Sequence, residues 1–306
     1  MHGDLAGLLL SAARDNAARA LTLYVSTDRL ELLQSAVALG TAIELAAKAF
    51  LASIEPTLLS ERGDADTILC LSGKPSLAGG TPTTIRTLGG IAACRLARKL
   101  GRAVVAGDSD VQRALEVRNS AAHMALVDKD ELRSCVPAMA RIVDSLVAEM
   151  GEDRAAFWAN QLSLADQLIE ARVKQVTQIL EAKKTAAIAR LAELTRYLND
   201  TSRPIVLASL SRLSVHSDHE EAHTCPICDQ RAWLICSVED SDPQSDGLDV
   251  WLPQTAWPFE FICSVCGLHL EGDEELAAMG LDFGIELDPR DMDETDYEPP
   301  DRVEEE

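Results

Sequence analysis

Two cysteine pairs place the tightest constraint on how this chain folds. Cys225-Pro-Ile-Cys228 and Cys263-Ser-Val-Cys266-Gly are each a C-x2-C turn, and 34 residues lie between them. Each turn aims two sulfurs at one point, and two such turns supply the four thiolates of a tetrahedral Zn²⁺ site. Four thiolates close the coordination sphere, so the ion expected here is structural. The rival readings, a redox dithiol or a disulfide pair, fit the paired spacing less well, and metal binding in a reducing, cytoplasmic setting is favoured. His223 and His269 flank the pairs as alternative ligands, each more ordinarily a neighbouring or surface residue. Cys70, Cys94, Cys135 and Cys236 are scattered, and Cys236 reads as a small buried apolar residue.

Around these turns, WLICSVED, DVWLPQ and FEFIC have the aromatic and β-branched character of short strands. Residues 222–271 as a whole resemble a zinc ribbon. Upstream, 201–221 carries Pro204, Ser209, Ser211, Ser214 and two histidines and reads as a linker. Downstream, 272–306 is acidic and poor in aromatics. It is expected to be largely disordered, although LAAMGLDFGIEL has the apolar content to fold on a partner or dock on the ribbon. Residues 221–306 hold 3 basic and 24 acidic side chains, so nearly all of the net charge of −22 belongs to this end. A field of that sign repels nucleic acid, which argues against a ribbon-based transcription factor and for a protein partner or inhibitor at the ribbon and tail.

The rest of the chain is helical in character. Aromatics make up only 4% of it while apolar residues reach 47%, with Ala and Leu abundant. Helices are expected over Leu5 to about Ser26, from a cap at Asp28 to about Ile54, over about Thr84–Leu100, from Asp108 or Ser109 through the 111–125 region, and from Asp128 or Asp130 to about Met150. The predicted fold class is therefore mainly α: an N-terminal bundle over 1–151, an extended helical region over 152–200, and the small β-rich ribbon. One long helix, or a hairpin broken near Lys183-Lys184, fits 152–200 equally, and packing on the bundle is favoured over a dimerising arm. Between Leu58 and Thr84 the turn signals Ser72-Gly73-Lys74-Pro75 and Gly79-Gly80-Thr81-Pro82 read as a surface loop. It is not a phosphate-binding P-loop, because the earlier Gly is missing and Pro75 stands where Ser or Thr would bind magnesium. Asp4 precedes the first apolar run, against a signal peptide, and no run is read as long enough to span a bilayer.

Within the fourth helix, VQRALEVRNSAAHMA carries the chemistry. Glu116, Asn119 and His123 fall at i, i+3 and i+7 on one face, with Arg118 on the flank. A permanent guanidinium beside an imidazole that titrates near neutrality suits a reaction that moves a proton and builds charge on phosphate. A satisfied surface pair has the same spacing. The second helix holds Glu44 and Lys48 in a strongly apolar setting, either as a plain i, i+4 pair or as groups that orient a neighbouring polar site. Arg95, Arg98, Lys99, Arg102 and Arg113 read either as complements to a helix dipole or as a phosphate-tracking patch.

The Arg-Asn-x3-His pattern, together with IELAAKAFLASIEPTLL upstream, resembles the HEPN family, whose members include many metal-independent ribonucleases. The resemblance implies a helical bundle that pairs with a second copy, bringing both motifs to one cleft. It also implies RNA cleavage by 2′-hydroxyl attack with Arg118, Asn119 and His123 as the site and no cofactor in the chemistry. A toxin or antiphage role belongs to the same context. Some HEPN toxins carry a modified Tyr shortly after the His; Met124, Ala125 and Leu126 stand there instead, so that regulation is not expected. The competing class is a non-catalytic module in which the polar stripe fixes an interface or holds a nucleotide. No membrane partner is expected.

Overall fold

The computed structural model describes residues 2–61, 65–78, 85–101, 104–105, 107–211, 219–240, 244–245 and 250–291. They fall into two compact units, Met1–Val176 and Thr177–Glu306, each with its own apolar core.

The first unit is built on α2 (Arg29–Ile54), which packs against α1 (His2–Leu23), α4 (Gly90–Leu100), α5 (Asp108–Met124) and α6 (Lys129–Glu149). Asp28 starts α2 as its sequence position suggests, accepting hydrogen bonds from the backbone N–H groups of Leu30 (2.9 Å) and Glu31 (3.0 Å). Asp128 starts α6 in the same way through Asp130 and Glu131. Glu55 and Pro56 end α2, because proline supplies no N–H to continue the ladder. Small residues do much of the packing: Ala36, Ala42, Ala46, Ala47 and Ala49 are wholly buried, which lets the neighbouring helices approach closely. The Ser35 hydroxyl is also buried and donates to the Ala20 carbonyl at 3.0 Å, so this buried polar group is satisfied across the seam with α1.

Two sequence expectations are corrected here. The third helix starts at Gly90, not near Thr84; Thr87 instead makes an isolated bridge to Ser60, and a short α3 (Ala65–Leu71) occupies part of the stretch read as loop. The Gly79–Pro82 turn signal lies outside the described residues. Second, α2 is long and apolar enough to span a membrane by length and composition, but 61% of its most apolar window is buried inside the protein. Its hydropathy is that of a helix covered by four others.

Beyond α6, α7 (Arg154–Trp158) is tied down by Asp144, whose Oδ1 accepts from Arg154 Nε (2.6 Å) and Trp158 Nε1 (2.8 Å). The carboxylates of Asp144 and Asp166 hold the Arg154 guanidinium more firmly protonated than usual. Then α8 runs unbroken from Leu162 to Thr195, with no Gly or Pro to interrupt it at Lys183-Lys184. Leu162, Leu164, Ala165, Leu168 and Ile169 join the first core, and Leu180, Ala187, Leu191 and Leu194 join the second.

The second unit adds α9 (Ser202–Leu210) and a small antiparallel sheet. The linker reading of 201–221 thus gives way to a helix over most of its first half, anchored by buried Leu207. The strands are β1 (Glu220–Thr224), β2 (Arg231–Asp240), β3 (Gln244–Ser245), β4 (Val250–Ile262), β5 (His269–Glu271) and β6 (Ile285–Asp291). All five others except β1 pair with β4, and β1 pairs with β2. The tail expectation is corrected as well. Residues 273–277 form α10 and β6 adds to the sheet, with Leu276 and Leu281 buried. Acidic composition concealed a two-residue period: Ile285 and Leu287 face inward while Glu286 and Asp288 face water. Residues 292–306 lie outside the description.

Candidate functional site

The sequence-predicted polar residues of the first unit fall into three groups. Glu44, Lys48 and Arg118 come together where α2 meets α5. Glu44 is the hub: its Oε1 lies 2.7 Å from Lys48 Nζ and its Oε2 lies 3.1 Å from Arg118 Nη1. Lys48 is 9% exposed and also donates to Thr87 Oγ1 at 3.0 Å. A carboxylate shared by two cations is well paired in a poorly hydrated place, where leaving one partner alone carries the larger penalty. Gly40 permits the arrangement. A Cβ built there would stand 2.7 Å from Arg118 Cβ and 3.2 Å from the Ala114 carbonyl, so α2 and α5 touch backbone to side-chain base.

Asn119, Glu116 and His123 form the second group, on the solvent face of α5. All three are exposed, and Glu116 accepts a hydrogen bond from Gln112 at 2.9 Å. Arg118 sits at the border, its side chain 33% exposed between the Glu44 carboxylate and water. Thus the guanidinium is oriented from inside, while the amide of the following residue and the imidazole five residues on stand on the surface. Just past His123 the helix stops at Ala125, whose φ of 51° is left-handed, and Arg29 Nη2 donates to its carbonyl at 2.7 Å.

The basic residues divide differently. Arg95 Nε and Arg98 Nη2 meet the two oxygens of Asp108 at 2.7 and 3.7 Å, which fastens the end of α4 to the start of α5. Lys99 and Arg113 are exposed, and Arg102 lies outside the described residues. Buried nearby, the Cys94 thiol is pushed up to about 12, first by burial and then by the Asp108 and Glu44 charges. It is a neutral packing group, as is Cys135, which burial raises to about 11.

The second unit brings Cys225, Cys228, Cys263 and Cys266 together, their sulfurs all within 4.8 Å of one another. The first pair lies in the turn between β1 and β2, the second in the turn between β4 and β5. The turns are copies of each other. In each, the first cysteine's N–H donates to the carbonyl five residues on (Gln230 at 2.8 Å, Leu268 at 2.9 Å). The residue after the second cysteine donates back to the first cysteine's carbonyl, Asp229 at 3.0 Å and Gly267 at 2.8 Å, and both adopt left-handed φ, 56° and 74°. Across the turns, Cys225 meets Cys266 and Cys228 meets Cys263, both at 3.5 Å. A tetrahedron with metal–sulfur bonds of about 2.3 Å has sulfur–sulfur edges of about 3.8 Å, so the donor set fits a zinc ion. Hydrogen bonds from Cys225 and Cys266 hold the Cys263 sulfur far below the ordinary thiol range, and Cys225, the donor to both Cys263 and Cys266, is pushed far up. His223 and His269 are outside this set. His223 hydrogen-bonds the Thr224 carbonyl (2.9 Å) and lies edge-on to Phe261, whereas His269 contacts Glu260. Cys236 is buried in the apolar core, its thiol raised to about 12 by burial.

Sequence reasoning missed Thr87, Gly40 and the structural duty of Asp108. Gly40 carried a usable signal, since glycine inside a strongly apolar helix marks a close approach. Thr87 had none. Comparisons with family models, with curated proteins and with solved structures return no match for this chain.

Proposed function

We propose that the helical unit is an endoribonuclease of the HEPN type and that the four-cysteine site holds a structural zinc. The observation that carries the first part is the Glu44 hub: a carboxylate bridging Lys48 and Arg118 in an alanine-packed seam, with Asn119 and His123 exposed on the same helix as Arg118. A guanidinium held from behind and half open in front is suited to meet a phosphate at fixed orientation. In this reading His123 takes the proton of the ribose 2′-hydroxyl, the 2′-oxygen bonds to the adjacent phosphorus, and the bond from phosphorus to the 5′-oxygen breaks. The leaving oxygen then gains a proton, giving 2′,3′-cyclic phosphate and 5′-hydroxyl ends. Arg118 stabilises charge on the phosphorane oxygens and Asn119 positions the phosphate. An exposed stripe excludes little water by itself, so a second copy of the chain completes the cleft, with Lys99 and Arg113 available to track the RNA backbone.

The other reading is a non-catalytic module for nucleotide or protein binding. Its support is that Arg118 already has a carboxylate partner and that Asn119 and His123 are solvent-facing. Incubation of the full chain with end-labelled RNA in EDTA separates the two. Cleavage with cyclic-phosphate ends, falling about 10²-fold or more in His123→Ala and in Arg118→Ala, supports the ribonuclease. Absent cleavage, or cleavage indifferent to both substitutions, leaves the binding module.

A further inference from the structure

A second, smaller constellation of metal-ligating groups lies outside the four-cysteine site. Glu260 on β4 and Glu271 on β5 are direct cross-strand partners. Directly paired residues share a face of the sheet, and so does His269, two positions before Glu271. The opposite face of the same strands is the buried one, with Phe261 and Leu270 fully enclosed. Two like charges set opposite one another on paired strands are unfavourable unless something lies between them. His269 supplies part of that: its Nε2 is 2.5 Å from Glu260 Oε1 and 3.8 Å from Glu271 Oε1, and the three donor atoms all lie within 4.8 Å of one another.

The surroundings add a charge argument. Lys183 reaches toward Glu271 Oε2 (3.8 Å) but makes its closer contact with Glu275 (2.7 Å). Three carboxylates, Glu260, Glu271 and Glu275, thus face one ammonium and one imidazole. Carboxylates outnumber the cationic partner Lys183, an excess of negative charge that a divalent cation offsets. One imidazole nitrogen with two carboxylate oxygens is a donor set for a borderline transition metal such as Zn²⁺, not for magnesium or calcium, which prefer oxygen alone. Bond lengths of about 2.0–2.2 Å in a tetrahedron need donor separations of about 3.4 Å, between the two distances found here.

We propose that Glu260, His269 and Glu271 form a second zinc site on the open face of the sheet, with three protein ligands and a remaining position for water. Unlike the four-thiolate site it is coordinatively open and exchanges readily with solution metal. The test uses the full chain with its cysteine site already filled. Calorimetric titration with Zn²⁺, and with Co²⁺ as a spectroscopic probe, is expected to find one further equivalent. Its cobalt spectrum should show weak nitrogen and oxygen bands without the sulfur charge-transfer absorption of the first. His269→Ala and the milder double change Glu260→Gln with Glu271→Gln should each weaken that equivalent at least about tenfold, while the first stays bound. Retention of the first metal and of the sheet's circular dichroism guards against unfolding; if His269→Ala fails to fold, the glutamine variant decides. No further equivalent, a further equivalent unaffected by the substitutions, or one with sulfur charge transfer overturns the assignment. In those cases His269 contacts Glu260 and Glu271 without a metal between them.

Discussion

Gly40→Ala adds a single methyl group where α2 and α5 touch, and the structure fixes what it must displace. The new Cβ would stand 2.7 Å from Arg118 Cβ and 2.9 Å from Arg118 Cδ. Carbon atoms rest about 3.5–4.0 Å apart, so the helices must separate by about 1 Å. The obstructing Cβ is fixed to the α5 backbone and has no rotamer by which to step aside. Overpacking of this kind costs about 1–3 kcal/mol, while replacing a mid-helix glycine by alanine returns about 0.5–1 kcal/mol. The net expectation is a loss of about 0.5–2 kcal/mol, a fall of roughly 1–8 °C in the Tm of the helical unit.

Gly7→Ala is the matched control, the same chemical change on α1 where a Cβ would meet nothing within 4 Å. It keeps only the propensity gain and should raise the Tm by roughly 1–4 °C. Thermal unfolding followed at 222 nm, where helices dominate the signal, reads both. Because the displaced side chain is Arg118, the ribonuclease proposal expects cleavage to fall in Gly40→Ala and to be unchanged in Gly7→Ala. Equal stabilisation by the two substitutions would refute the close approach of α2 and α5, and with it the inward orientation of Arg118.

The buried thiols give an alkaline prediction. Cys94 is raised from its ordinary 9.0 to about 12, so the folded chain holds that proton more tightly than the unfolded chain. Stability from this source is fully present below pH 9 and is lost as pH rises toward 12, amounting to about 2–3 kcal/mol by pH 11. Urea denaturation across that window should show Cys94→Ala with the shallower decline; parallel declines would rule the thiol out as the cause. For the four-cysteine site, strong chelation at elevated temperature should unfold the sheet of Thr177–Glu306 and leave the Met1–Val176 helices intact, since the two cores are separate. Hydrogen exchange of peptides from β2 and β4 against those from α2 reads the difference, and equal deprotection of all three would contradict it.

Much of this architecture was readable from short-range chemistry. Asp28 and Asp128 announced their helices because a cap is a contact between near neighbours, and the two C-x2-C turns announced their meeting because four cysteines at that spacing make a donor set for a single metal ion. What stayed hidden depended on distant partners. Arg95 and Arg98 read as a possible phosphate patch, but both pair with Asp108, a partnership that composition does not encode. The β6 strand was masked by its own acidity, since mean charge hides a period of two.

The candidate site divides along the same line. Periodicity grouped Glu116, Asn119 and His123 on one face of α5, and all three do share its exposed side. It placed Arg118 on the flank, but only the packing of α2 determines what a flank residue meets, and it meets Glu44. This has a consequence for function. With the guanidinium tied to Glu44 at the border of the fold and the imidazole on the exposed side of α5, the ribonuclease reading needs a second surface to enclose a phosphate. Fully active protein that stays monomeric would therefore count against the two-copy cleft, while the cleavage assay alone decides the ribonuclease reading.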